Sequence, residues 1–191
     1  MSSPPDPSAR SRPAGGILPG HSDRKARRRR GRGRRVGSMA PKIATADRVD
    51  RDRLLEFVRP RHRGTLVTTR SDGRLQMSPV TCGLDDAGRI VIATYPERAK
   101  VVNIRRRPAV SIMIHSDDWN GPYVQIDGTA EVIHLPDSVE PLVEYFRAVA
   151  GEHPDWDEYR EAMRTQGKSL IRITVDDWGP VATGGFPPGR V

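Results

Sequence analysis

The chain has 191 residues, of which 36% are hydrophobic and only 5% aromatic, and its formal net charge is +8. This length allows one domain, or one domain with a tail. Residues 1–38 hold ten arginines and Lys25 against two aspartates, so they carry +9, whereas residues 39–191 carry −1. A basic protein ordinarily suggests a polyanionic partner such as a nucleic acid, but here the positive charge belongs to one terminal segment.

Residues 1–38 are rich in Pro, Gly, Ser and Arg and have almost nothing apolar to bury. This composition predicts a disordered tail, because the segment cannot offset the entropy of ordering. Met39 stands where the composition changes, which leaves two alternatives open. The tail is a genuine basic arm, or it lies upstream of the true start and is not translated. A single globular domain is expected over residues 39–191.

The compartment is predicted from what the sequence lacks. No apolar stretch follows the basic residues as in a secretory signal, and no run approaches the roughly 20 apolar residues that cross a bilayer. Cys82 is the only cysteine, and the five histidines show no metal-ligand spacing. We therefore expect a soluble cytoplasmic protein without a metal site.

The first half of the domain reads as a helix followed by strands. Apolar spacing over residues 47–58 predicts a helix with Asp47 as a candidate cap. Residues 64–83 resemble a β-hairpin around a tight turn, and Pro79 indicates that the return strand is an edge or carries a bulge. A third strand is expected over residues 89–95, with a short helix beginning just after Pro96.

The second half adds two strands, two helices and a last strand. Strands are predicted over residues 109–115 and 123–135, the latter with a kink at Gly128. Helices are predicted over residues 138–151 and 155–166, and a sixth strand over 169–175. These spacings favour a mainly β fold with some α, a small antiparallel barrel of six or more strands with flanking helices.

The catalytic motifs that the sequence lacks argue against several reaction classes. The sequence has no GxSxG, HExxH, Walker phosphate loop or GxGxxG, which argues against serine or zinc hydrolysis and nucleoside-triphosphate chemistry. In residues 93–103 a predicted strand runs into a helix N-terminus, where Arg98 and Lys100 add two cations to free backbone N–H groups. This arrangement suits a phosphate. The alternative is a solvated helix end with two ordinary surface cations.

The globular segment resembles the pyridoxamine 5′-phosphate oxidase-like family of split β-barrel flavoproteins. It is most similar to the actinobacterial members that use the deazaflavin coenzyme F420. The similarity is carried by GTLVTTRSDGRLQMSPV, PERAKVVNIRRRPAVSIMI, DGTAEV and YFRAVAGEHPDWDEYREAM. The resemblance implies an FMN-binding split-barrel fold, with the last block specific to this branch.

The resemblance also implies which residues hold the cofactor. Arg98 and Lys100 fall where the family grips the cofactor phosphate, and Asn103 lies one turn further on. In the family, the return strand of the hairpin lies along the cofactor ring, and its backbone usually contacts the ring edge. The implied cofactor-binding residues are Gln76, Ser78, Pro79, Val80, Arg98, Lys100 and Asn103.

Family membership further implies a homodimer with cofactor sites between the subunits. Trp119 and Tyr123 are candidates for lining the pocket of the partner chain, although Trp119 can equally be a loop anchor on its own barrel. Tyr123 is the candidate proton donor, with no motif to support it. His115 is interpreted as a hydrogen-bonded strand residue.

Two cofactors remain open on this fold. Coenzyme F420 carries a lactate and glutamate tail beyond its phosphodiester, so its site should extend into basic surface. Arg59, Arg61 and Arg63 could supply that surface, and so could the triplet at residues 105–107, unless these arginines only complement helix dipoles. The chain ends in TGGFPPGRV and lacks the Arg- and His-bearing motif of true pyridoxamine phosphate oxidases.

The predicted function is an F420-dependent oxidoreductase that transfers a hydride between the deazaflavin and a small unsaturated substrate. The alternatives are an FMN-binding oxidase or reductase, and a protein that binds F420 without turnover. A nucleic-acid-binding role through residues 27–35 is the alternative from another class. The substrate is not predicted.

Overall fold

The computed structural model describes residues 44–184, which form nine strands and four helices. The strands are β1 Thr45–Asp47, β2 Arg63–Thr69, β3 Leu75–Thr81, β4 Gly83–Leu84, β5 Ile90–Thr94, β6 Ala109–His115, β7 Tyr123–Ile133, β8 Ser169–Trp178 and β9 Val181–Thr183. The helices are α1 Arg51–Val58, α2 Ala99–Arg106, α3 Val139–Ala150 and α4 Trp156–Thr165.

The strands form one antiparallel sheet in the order β3-β2-β6-β7-β8-β5-β4. β9 pairs with both β1 and β7 beside this path. The sheet does not close, because β3 contacts β5 without pairing with it. The predicted split β-barrel architecture, mainly β with flanking helices, is therefore confirmed, and β3 is an edge strand as Pro79 indicated.

The main core lies inside the curved sheet. Side chains alternate along each strand, so one face of β2, β6, β7 and β8 is apolar and the other is mixed. Nine leucine and isoleucine side chains of this core are at most 1% exposed: Leu54, Leu66, Ile90, Ile92, Ile112, Ile114, Ile126, Ile171 and Ile173. Full burial of each such side chain stabilises the fold by about 1.5–3 kcal/mol.

Helices α3 and α4 pack through a cluster of aromatic rings. Phe146, His153, Trp156 and Tyr159 contact one another with centroids 5.0 to 5.9 Å apart. Asp155 caps α4 by accepting hydrogen bonds from the N–H groups of the first turn. The GEHPDW segment thus holds the two helices together and fixes them on the outside of the barrel.

Gly128 lies at the predicted kink in β7, where the pairing with β8 shifts register. A Cβ atom at this position would lie 2.3 Å from the carbonyl oxygen of Thr174. Only glycine allows the two backbones to approach this closely. The prediction of an irregularity at this position is confirmed.

Several predicted boundaries need correction. Asp47 lies in β1, and Asp50 caps α1 by accepting from the N–H of Arg53 at 3.0 Å. The helix expected directly after Pro96 begins at Ala99, because a turn intervenes. The last long strand continues to residue 178, and the sequence patterns did not predict β1, β4 or β9.

Some sequence predictions fall outside this region. The tail at residues 1–38 lies outside the described residues, so its predicted disorder stays a prediction. Within residues 44–184, no helix is long and apolar enough to cross a membrane. Nor does this part of the chain bring together three or more His, Cys, Asp or Glu side chains in a cluster that could hold a metal ion.

Candidate functional site

A cavity of about 380 Å³ lies where the barrel remains open. β3 contributes residues 79–81 on one side and β5 contributes Ile92 and Ala93. Helices α2, α3 and α4 supply the remaining wall, through the side chains Lys100, Tyr145, Tyr159, Met163 and Gln166, with Lys168 after α4. Because β3 is an edge strand, backbone groups on its free side have no strand partner.

Lys100 is the half-buried cation of this cavity. Burial lowers the pKa of its ammonium group from the ordinary value of 10.5, and the nearby Arg98 guanidinium lowers it further. No carboxylate of residues 44–184 forms an ion pair with Lys100. A partly desolvated charge without a counter-ion is costly, so the site favours an anionic ligand.

Two further cations lie around Tyr95, just before α2. The Nζ atom of Lys168 lies 3.8 Å from the centroid of the Tyr95 ring, and the Cζ atom of Arg98 lies 5.9 Å from it. Neither cation forms an ion pair with a carboxylate among the described residues. Arg98 caps α2 with its backbone but lies outside the lining of the cavity.

Tyr145 places a phenol in the cavity. Its hydroxyl donates one long hydrogen bond, of 3.4 Å, to the carbonyl oxygen of Thr81. Burial raises the pKa of Tyr145 to about 12, with smaller contributions from Cys82 and Tyr159. The phenol is therefore neutral at physiological pH and can donate a hydrogen bond.

Three of the predicted residues belong to a side-chain network on the inner face of the hairpin. Asn103 Nδ2 donates to Thr68 Oγ1 at 3.0 Å, and this hydroxyl donates to Gln76 Oε1 at 2.9 Å. Gln76 Nε2 donates to Ser78 Oγ at 2.6 Å and to the carbonyl oxygen of Met77 at 2.8 Å. Asn103 is only 5% exposed. The side chains of Gln76, Ser78 and Asn103 thus fix α2 to the hairpin, and their roles in cofactor binding stay predictions.

The structure brings together only part of the predicted site. Pro79, Val80 and Lys100 line the same cavity, as expected of residues that meet one ligand. Tyr123 instead lies outside this cavity. It lines a second cavity of about 400 Å³ with Trp119, His115 and Met113. Within one chain, Tyr123 is therefore separate from Lys100.

The first predicted arginine cluster does not form a unit. Arg61 stacks over Phe57, with Cζ 3.8 Å from the ring centroid, and Arg63 pairs with Asp117 at 3.0 Å. Arg59 lines a different pocket. In the second cluster, Arg105 lies 2.7 Å from His134 Nε2. The first cluster is thus dispersed over three environments and does not form one basic surface.

The donor set of the open cavity fits a flavin-type cofactor with a phosphate. Lys100 and Lys168 supply positive charge, and Tyr145 supplies a neutral donor. Thr94, at the end of β5, has a hydroxyl that is buried and makes no hydrogen bond within the described part of the chain. Thr94 is not part of the lining of the open cavity, so its hydroxyl does not count among the donors offered to a ligand.

The fold and the cavity define a split-barrel protein with a cavity lined by two lysines at the open edge of the sheet. The sequence model of the family described as pyridoxamine 5′-phosphate oxidase matches residues 51–182. The chain belongs to this family. Its members have a fold that binds flavin-type cofactors, which agrees with the donor set of the cavity.

Solved structures with the same fold are only distantly similar in sequence. The conserved hypothetical protein Rv2991 from Mycobacterium tuberculosis is 23% identical, with a TM-score of 0.59 over 72% of this chain and 89% of that one. The General Stress Protein 26 from Bacillus anthracis is 14% identical, with a TM-score of 0.50 over 69% and 92%. These two similarities show the fold alone.

An F420 reductase is also similar, with 20% identity and a TM-score of 0.49 over 64% of this chain and 94% of that one. A TM-score at this level carries no conclusion about the cofactor of this chain.

Sequence reasoning missed Tyr145, Gln166 and Lys168 as cavity residues. Tyr145 lies in a block that the resemblance singled out, in a chain with few aromatic residues. Lys168 is one of only four lysines and stands directly before a predicted strand, which was a usable signal. The local sequence does not show that Tyr145 and Lys168 line the cavity, because they do so only after α3 and α4 have packed on the barrel.

Proposed function

We propose that this protein is an oxidoreductase that binds coenzyme F420 in the cavity at the open edge of the barrel and uses it to reduce a small unsaturated substrate. The observation that carries the proposal is the half-buried Lys100 ammonium, which has no carboxylate partner within residues 44–184. It lies beside an edge strand that the resemblance pairs with the cofactor ring. The ligand expected there is planar and carries a phosphate.

The choice of F420 is supported by the spread of positive charge and by the resemblance. Lys100 and Lys168 line the cavity, whereas Arg98 lies beyond it on Tyr95. Three cations exceed what one phosphodiester requires. A ligand whose glutamate tail continues past the phosphate would use the additional charge, which FMN would not.

In this function the cofactor, when bound, supplies a hydride to an electron-poor carbon–carbon double bond. Lys100 holds the anionic group, and the backbone of residues 79–81 orients the ring edge. Ile92 and Met163 line the same cavity with apolar surface and exclude water. The second carbon of the double bond takes a proton, so the product gains two hydrogens in total.

The protein is proposed to act as a homodimer. Side chains on the outer face of β3, β6 and β7 include Met77 (64% exposed), Leu75 (58%), Met113 (39%) and Tyr123 (39%). Exposed apolar patches of this kind usually mark an interface. A second copy seated there would bring Tyr123 and Trp119 to the partner's cavity, as the resemblance implies.

The dimer is tested by changing the outer face. Met113→Asp should convert the protein to a monomer in analytical ultracentrifugation, because it places a charge within the interface. Arg164→Asp, on the exposed surface of α4, is the control and should remain dimeric. A wild-type protein that sediments as a monomer at micromolar concentration would contradict the dimer.

The cofactor is tested by fluorescence titration of the full chain with F420 and with FMN. Tight binding of FMN with no binding of F420 would contradict the proposal and favour the FMN-dependent alternative. If F420 binds, turnover of the reduced coenzyme is measured next with a panel of electron-poor alkenes and enones. Binding without any turnover over the panel would favour the F420-binding protein that lacks catalysis.

A further inference from the structure

We propose that Lys168 and Tyr145 bind the phosphate-bearing group of the ligand together with Lys100, so that the helical pair α3–α4 builds half of the anion site. The resemblance assigns the phosphate to Arg98 and Lys100 alone. The inference rests on the proposed function for the identity of the ligand. The existence of the anion site depends only on the geometry of the cavity.

The end of α4 fixes the position of Lys168. Gly167 has a φ of 65°, and the N–H of Lys168 donates to the carbonyl oxygen of Met163 at 3.1 Å. This six-residue hydrogen bond with a left-handed glycine is a Schellman ending. The carbonyl oxygen of Lys168 accepts from Ser138 Oγ at 2.9 Å. Both backbone polar groups of Lys168 are therefore bonded, and its Cα is held at the start of β8.

The direction of the Lys168 side chain follows from its contacts. The Nζ atom lies 3.8 Å from the centroid of Tyr95, and the side chain lines the cavity beside Lys100. An aromatic face holds an ammonium in place without neutralising its charge. Lys168 therefore keeps its positive charge available for an anion.

The cavity is also lined by two tyrosines, Tyr145 and Tyr159, which differ in their hydrogen bonds. Among the described residues, the Tyr145 hydroxyl makes only its long bond to the Thr81 carbonyl oxygen, so a better acceptor can take its hydrogen. Tyr159 differs, because its hydroxyl donates to the carbonyl oxygen of Leu142 at 3.1 Å. The two lysines and Tyr145 thus offer donors on the helical side of the cavity. This donor set suits a phosphate monoester or diester.

The test uses the full chain and three variants. Lys168→Gln removes the charge and keeps a polar side chain one bond shorter, and Tyr145→Phe removes only the hydroxyl. Arg164→Gln is the matched control, because it removes one positive charge from the exposed surface of α4, where Arg164 pairs with Glu161 at 3.3 Å. Thermal unfolding of each variant shows whether its fold is intact.

Inorganic pyrophosphate is the first probe, measured by calorimetry and by the rise in melting temperature. F420, FMN and riboflavin are the second set, measured by fluorescence, and riboflavin lacks the phosphate. Lys168→Gln should weaken pyrophosphate, and whichever cofactor the wild-type chain binds, roughly tenfold. Tyr145→Phe should weaken them about threefold. Any affinity for riboflavin should not change, nor should any affinity in Arg164→Gln.

The inference is overturned if Lys168→Gln binds pyrophosphate and both cofactors as Arg164→Gln does, including the case in which neither protein binds any of them. If pyrophosphate binding depends on Lys168 while the wild-type chain binds neither F420 nor FMN, the anion site stands and the proposed function fails. If Lys168→Gln weakens the binding of F420 or FMN and leaves any affinity for riboflavin unchanged, the phosphate is the group that Lys168 recognises.

Discussion

Lys100→Met separates the ligand-binding role of this residue from its effect on the fold. Methionine nearly matches the length of the lysine stem and removes the charge. In the native protein the pKa of Lys100 is lowered, first by burial and then by Arg98. The protonated group therefore costs free energy on folding, and this cost is fully present below the lowered folded-state pKa and is lost as pH rises to the unfolded value of 10.5.

The two expected effects of Lys100→Met have opposite signs. Near neutral pH the variant should be as stable as the wild type or slightly more stable, with a melting temperature unchanged or raised by about 1–2 °C. A charge-assisted hydrogen bond contributes about 1.5–3 kcal/mol, and partial exposure of Lys100 favours the lower end. The cofactor should consequently bind roughly tenfold to thirtyfold more weakly.

Fluorescence titration and differential scanning calorimetry measure the two effects on the same samples. Arg164→Met is the control, because it removes one exposed positive charge and should change neither quantity. A Lys100→Met protein that binds the cofactor with wild-type affinity would show that the phosphate does not bind at α2. A variant that loses several degrees of melting temperature would show that Lys100 stabilises the fold, contrary to the reasoning from its buried charge.

Three further changes test the fold around the site. Gly128→Ala should destabilise the protein by about 2–4 kcal/mol in chemical denaturation, because its Cβ would clash with the Thr174 carbonyl 2.3 Å away, and wild-type stability would contradict this close approach. Asn103→Ala should cost about 1–3 kcal/mol of unfolding free energy, because it removes a buried hydrogen bond to Thr68. Thr68→Val, which also removes the bond to Gln76, should cost less in the Asn103→Ala background than in the wild type, and additive losses would disprove the Asn103–Thr68 bond. Burial raises the pKa of Cys82 to about 12 from 9.0, so stability should fall as pH rises from 9 towards 12, and a thiol reagent should label native protein near pH 8 only as fast as it unfolds.

The sequence predicted much of the fold because the relevant signals are local. Alternation of apolar residues identified the six longer strands β2, β3, β5, β6, β7 and β8, and capping residues with acidic first turns identified α3 and α4. The short strands β1, β4 and β9 were missed. Each has only two or three residues, and such segments are strands only because a partner strand lies beside them.

The candidate site was predictable only in part. Lys100 was found because a strand leading into a cationic helix start is visible within one segment. Lys168 and Tyr145 were not found, although they line the same cavity. They come from the other end of the domain, and no spacing rule relates them to Lys100.

The sequence by itself determined where the positive charge of this protein lies, which segments become strands and helices, and which family the chain resembles. These properties follow from composition and from contacts between near neighbours along the chain. The tertiary structure decided which donors share one cavity, that Tyr123 lines a different cavity from Lys100, and that the first predicted arginine cluster is dispersed. The physical reason is that a split barrel brings its edge strand β3, the start of α2 and the end of α4 together only after the sheet has curved. The character of an anion site depends on that convergence, which no local pattern contains.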